Sequence, residues 1–172
     1  MYCPVQGKLF SYPRSPTSFG GSLNCGKRKN RRPVSLKESM HVVLRAESAR
    51  GNYSLLLPQN ARMTYRLMCH YGKKFEVRVY NYAFVGNHLH LLLKAKTRVG
   101  FQHFLRVFAG QVAQRITKAK PHAPLLKRFW DFIAYSRTIP WGRAYKTAQN
   151  YIRENILQGA RMTRRSRLIN TS

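Results

Sequence analysis

His88-Leu89-His90 follows a Gly86-Asn87 pair and runs on into Leu91-Leu92-Leu93-Lys94. Glycine and asparagine both tolerate positive φ, so the pair reads as a tight turn. The run after it reads as a strand, whose side chains alternate between two faces. His88, His90 and Leu92 then share one face, and Leu89, Leu91 and Leu93 line the other. Two imidazoles side by side look like half of a metal site; taken alone, they read more readily as partly exposed histidines on a half-buried strand. Much later comes Asn150-Tyr151-Ile152-Arg153-Glu154-Asn155-Ile156-Leu157-Gln158. Tyr151 and Asn155 stand four apart and so lie on one face of a helix. On the helix alone, Tyr151 reads as an amphipathic anchor and Asn155 as a polar surface residue.

The elements that must position these residues can be read in order. His41-Val42-Val43-Leu44-Arg45-Ala46 is rich in β-branched and apolar residues and predicts a first strand. Ala61, Tyr65, Met68 and Tyr71 recur at helical spacing from Pro58 to Tyr71, with Gly72 as a stop. Glu76 to Val85 alternates as a second strand, which the Gly86-Asn87 turn joins to the histidine strand as a hairpin. From Val99 to about Lys118 the apolar residues Phe101, Phe104, Leu105, Phe108, Val112 and Ile116 repeat at three and four, a core-facing helix. Phe129 to Ile139 predicts a fourth strand, and Trp141 to Leu157 a last helix. The expected class is therefore α+β: a ferredoxin-like βαββαβ antiparallel sheet with helices on one face, plus an additional C-terminal helix carrying the tyrosine. The histidines are expected on the open face. Residues 1–39, rich in Gly, Pro, Ser and basic residues, are expected to be a flexible basic arm. A catalytic domain is expected over 40–160 and a basic tail over 161–172.

Charge narrows the chemistry. The 172 residues hold 32 Lys+Arg against 5 Asp+Glu, a formal net charge of +27. Such a field attracts polyanions, nucleic acid first. The carboxylates are Glu38, Glu47, Glu76, Asp131 and Glu154, too few and too scattered for a glycosidase pair or an all-carboxylate two-metal nuclease. The three cysteines form no Cys-x-x-Cys pair, which argues against a structural zinc site or a disulfide framework. No apolar run has the length of a membrane span, so no membrane partner and a cytoplasmic, nucleoid-associated location are expected.

The histidine motif with its Gly-Asn lead, followed by a helical Tyr-Ile-x-x-Asn, resembles the HUH endonuclease class. Within it, the chain is most similar to the single-tyrosine transposases of insertion sequences and to REP-associated tyrosine transposases, over roughly Pro33 to Gln158. The resemblance implies that His88 and His90 bind Mg2+ or Mn2+, that Asn155 supplies a third ligand, and that Tyr151 attacks a phosphodiester of single-stranded DNA. It implies a covalent 5′-phosphotyrosine with a free 3′-hydroxyl, hence a strand-cleaving and strand-joining enzyme. The partner would be single-stranded DNA with a hairpin, and the protein a monomer or homodimer. Related sequences often read Asn-Pro-Val-Arg where this chain has Asn155-Ile156-Leu157-Gln158, so without the proline the helix can continue. From charge and position, Arg45, Arg50, Lys94, Lys96, Arg98, Lys127, Arg128, Lys146 and Arg153 are candidate phosphate contacts, and Trp130, Tyr135 and Trp141 candidate stacking platforms. His41, His103 and His122 have no partner pattern and default to structural or solvated roles. The alternative function is a non-catalytic single-stranded DNA- or RNA-binding protein derived from such a transposase. A hydrolase of small phosphate esters would leave Tyr151 without a role.

Overall fold

The computed structural model describes residues 17–26, 30–120, 122 and 128–169, with the side chains of the last helix described as far as Arg161. Its frame is a five-stranded sheet with every pairing antiparallel. The elements in chain order are β1 (Ser18–Phe19), β2 (Ser39–Arg45), α1 (Pro58–Lys74), β3 (Val77–Val85), β4 (His88–Ala95), α2 (Arg98–Thr117), β5 (Tyr135–Ile139) and α3 (Arg143–Ile169). Across the sheet they stand β1-β5-β2-β4-β3. Leaving out the short edge strand β1, this is the ferredoxin-like arrangement, in which each βαβ crossover leaves room for one strand between its ends.

Local chemistry accounts for the element ends. Pro58 opens α1, where its missing N–H and fixed φ cost nothing. The Thr97 hydroxyl caps α2 by accepting from the Gly100 N–H at 2.9 Å, and Lys118 ends it in the left-handed conformation. Gly86 turns the β3–β4 hairpin with φ +48°.

β4 divides its side chains between two faces. Leu89, Leu91 and Leu93 join Met40, Val42 and Leu44 of β2 beneath Leu67 and Met68 of α1 and Phe101, Phe104, Phe108 and Val112 of α2. On the opposite face Leu92 packs with Ala83, Val85 and Ile139 beneath Ala148 and Ile152 of α3. The histidine face is thus not open, as expected, but crossed by α3.

Other boundaries also moved. Gly72 lies inside α1 rather than ending it: a Cβ there would stand 3.0 Å from the Val77 carbonyl oxygen, so the glycine permits close packing. The chain turns instead at Glu76, whose φ is +53°. The strand expected over 129–139 is only Tyr135–Ile139. Before it, the Trp130 indole N–H donates to the Ala109 carbonyl and the Asp131 N–H to the Arg45 carbonyl, tying the segment to α2 and β2. α3 runs on to Ile169, through most of the stretch expected to be a tail, since no proline stops it after Asn155. Part of the expected arm is also built into the fold. Ser18 and Phe19 pair with Arg137 and Ser136, while the Arg32 guanidinium donates to the Ser136 hydroxyl and the Ala134 carbonyl, 4.7 Å from the Phe19 ring. Arg98 in turn donates to the Arg32 carbonyl at 2.8 Å. Residues 1–16 and 27–29 of the arm lie outside the described residues. Among the described residues no helix is long and apolar enough to cross a membrane.

Candidate active site

Antiparallel register sets the site. His90 lies opposite Val43, His88 opposite Arg45, and His41 opposite Leu92, so His41, His88 and His90 share one face of the β2–β4 pair. The His88 and His90 ring centroids lie 6.0 Å apart and those of His90 and His41 5.4 Å apart, with the planes of each pair near parallel. α3 delivers Tyr151 onto this row. Its ring meets His90 edge-on at 5.7 Å and His41 edge-on at 6.1 Å. Ile152, fully buried, anchors the helix at the neighbouring position. Two motifs far apart in the chain therefore converge.

Each histidine of the motif has its Nδ1 engaged. His88 Nδ1 is 2.6 Å from the Asn87 side-chain oxygen, and His90 Nδ1 is 3.2 Å from His41 Nε2. An amide oxygen only accepts, so His88 carries its proton on Nδ1 and keeps a lone pair on Nε2. That Nε2 is buried and has no hydrogen-bond partner. A buried nitrogen lone pair facing no donor is costly unless something electrophilic occupies it. Burial first, then the neighbouring positive charge of Arg45, lowers the His88 pKa, against a smaller opposing effect of Asp131. Burial also takes His90 well below the ordinary value, helped by His41 and His88. His41 falls to about 4 through burial and the Arg137 guanidinium. The row is neutral at pH 7, the state in which imidazoles ligate metals.

Among the described residues no group of three His, Cys, Asp or Glu side chains is placed to hold a metal ion. A cation here would draw on two imidazoles and neutral oxygens. Asn155 is buried one turn beyond Tyr151, and its amide nitrogen donates to the Tyr151 carbonyl at 2.7 Å, which leaves Oδ1 as its available ligand atom. The donor set fits a divalent ion: a bare buried imidazole nitrogen, a second imidazole backed at Nδ1, and an amide oxygen. Burial raises the Tyr151 phenol above its ordinary pKa, opposed by a hydrogen bond from Asn155. The surrounding positive field alone therefore does not make Tyr151 a phenolate.

The basic residues singled out from the sequence divide into groups. Arg45 is half-buried and pairs through Nε with Asp131 at 3.4 Å, beside His88. Arg50 pairs with Glu47 at 3.6 Å and Lys96 with Glu76 at 2.6 Å, both exposed. Such surface pairs open at little cost. Lys94 lies 5.7 Å from the Trp141 ring centroid, and Arg98 is occupied with Arg32. Arg128, Lys146 and Arg153 are exposed, the last two on α3; Lys127 lies outside the described residues. Of the three aromatic candidates, Trp130 packs against the apolar core, Tyr135 stands beside Ser18, and Trp141 rests on Tyr80 and Tyr145. Sequence reasoning missed His41 and Asn87 as partners of the motif histidines. Asn87 was legible as the residue adjoining His88; His41 was not, because only strand register puts it there.

The chain thus combines a ferredoxin-like sheet, paired histidines on one of its faces and a tyrosine-bearing helix across them. The family model described as "Transposase IS200 like" matches residues 36–155, and the chain belongs to that family. A crystal structure from Deinococcus radiodurans R1, of a protein provisionally described as a transposase, is similar with a TM-score of 0.43 and 17% identity, covering 75% of this chain and 97% of that one. No curated protein matches the chain.

Proposed function

We propose that the protein is a metal-dependent single-stranded DNA endonuclease and strand transferase that acts through Tyr151. The observation that carries this reading is the meeting of the Tyr151 and His90 rings beside the bare, buried His88 Nε2. His88 and His90 would hold a divalent ion, Mg2+ or Mn2+, with Asn155 Oδ1 as a third ligand. When bound, such an ion polarises a non-bridging phosphate oxygen and favours the phenolate. Tyr151 Oη gives up its proton to water and forms a bond to phosphorus, the bond from phosphorus to the 3′ oxygen breaks, and that oxygen takes up a proton from water as a 3′-hydroxyl. The strand's 5′ phosphate stays on the tyrosine, which conserves the bond energy for joining a second end. Ile152 and Leu92 keep Tyr151 seated by burying the helix against the sheet. Arg45, paired with Asp131 beside His88, would meet a phosphate, and exposed Lys146 and Arg153 on α3 would extend the positive path. A single-stranded substrate, with a hairpin for register, suits this surface because unpaired strands are flexible enough to follow a basic path past α3.

Incubation with hairpin-bearing single-stranded DNA and Mn2+ should give a covalent protein–DNA adduct that survives detergent. The Tyr151→Phe variant should give none, a loss of at least about a thousandfold, with an unchanged melting temperature. An undiminished adduct in that variant removes Tyr151 from the chemistry. Binding with no adduct from any strand, unaltered by EDTA or by a His88→Ala/His90→Ala double change, supports the non-catalytic binding alternative instead.

A further inference from the structure

We infer that His41 is a positioning residue for the metal site, accepting a hydrogen bond from His90 Nδ1 and so holding His90 with Nε2 as its lone-pair nitrogen; this rests on the metal reading above. His41 stands on β2, 49 residues from His90 along the chain, yet its Nε2 lies 3.2 Å from His90 Nδ1. Both residues are 1% exposed, so the contact is shielded from bulk solvent. A neutral imidazole has one donor and one acceptor, and two of them bonded to each other must therefore hold opposite tautomers at the shared contact. The neighbouring position shows which arrangement suits the row. At His88, the Asn87 oxygen forces the proton onto Nδ1 and leaves Nε2 bare. The same arrangement at His90 makes Nε2 the lone pair of both histidines, two residues apart on one strand face. The reverse arrangement would put an Nε2–H where a cation should sit. Ligating histidines are oriented in this way by an acceptor behind the ring, whose loss typically weakens metal binding about 10–100-fold. Here a third imidazole fills that place, packed parallel to His90 within 5° and bordered by the Tyr151 ring edge. It thus holds the ring on which the tyrosine rests.

The first test needs neither metal nor activity. Long-range proton–nitrogen correlation spectra of the full chain with 15N-labelled histidine, metal-free at pH 7.5, should show His90 protonated at Nδ1 and His41 unprotonated at Nε2. A His90 protonated at Nε2 overturns the inference. The second test reads Mn2+ affinity from the electron paramagnetic resonance signal of free Mn2+. His41→Ala should weaken binding about 10–100-fold, while His41→Asn and His41→Gln, which keep an acceptor oxygen, should recover at least one variant to within about threefold. Wild-type affinity in a folded His41→Ala protein overturns the inference. If His41→Ala does not fold, the tautomer spectrum and the amide variants decide. Absence of Mn2+ binding in the wild type defeats the metal reading, and the tautomer spectrum still decides the hydrogen bond.

Discussion

The two faces of the β2–β4 pair are made by the same two strands and differ in what they hold. Under α1 and α2 the layer is aliphatic and phenylalanine-rich, with Leu89, Leu91, Leu93, Phe101, Phe104 and Phe108 each fully buried. Under α3 the apolar patch is small, and beside it lie three imidazoles, a phenol and an arginine–aspartate pair. The difference teaches how a small protein affords buried polar chemistry. One face is packed tightly enough to hold the strands in register, and that register presents the histidines on the other.

Breaking the comparison at its stronger side should have the larger consequence for stability. Phe104→Ala empties a fully buried ring position between α2 and the sheet and should cost about 3–5 kcal/mol, read as a fall in the urea midpoint. Acid should weaken the other face. His41 has a folded pKa of about 4 against 6.5 for the free group. Above pH 6.5 it is neutral folded or unfolded. Between 6.5 and 4 only the unfolded chain takes up its proton, so stability is full above pH 6.5 and is lost as pH falls toward 4. The loss should be on the order of 3 kcal/mol by pH 4. With only 5 carboxylates in the chain, urea midpoints between pH 7.5 and 5 report mainly on histidines, and His41→Asn should flatten the profile.

A smaller change sharpens the comparison at the seam of α3. A Cβ on Gly159 would lie 2.6 Å from the Phe84 carbonyl oxygen and 3.2 Å from a Leu56 methyl. Gly159→Ala should therefore destabilise by about 1–2 kcal/mol despite the better helix former. It should also reduce adduct formation more than Phe104→Ala does at matched stability, since it shifts the helix that carries Tyr151. Least of all, Lys96→Gln breaks an exposed pair with Glu76 and should alter the melting temperature by no more than about 1 kcal/mol would.

The contrast between the faces was half legible in the sequence. Alternation in His88 to Leu93 and the three-four repeat of α2 are local patterns, so the apolar layer, the hairpin and the shared face of Tyr151 and Asn155 could be read from neighbours in the chain. Register is not local. That His41 backs His90, and that Arg45 stands beside His88, follows from how β2 slides against β4, which no window of residues encodes. The covering of the histidine face by α3 was missed for a related reason: amphipathicity in Ala148, Ile152 and Asn155 predicts a buried side without naming what buries it. The N-terminal stretch misled through composition. Ser18-Phe19 is too short to signal a strand, and Arg32 reads as a solvated charge until Ser136 and the Ala134 carbonyl are brought to it.

The packing of α3 onto the sheet of its own chain has a kinetic meaning. Tyr151 and His90 are held together by chain connectivity and by Ile152, so their encounter is unimolecular. Dilution lowers the frequency of collisions between molecules but leaves such an internal pairing untouched. The number of sites with both rings in place should scale linearly with the number of chains, down to the lowest concentration at which the protein stays folded.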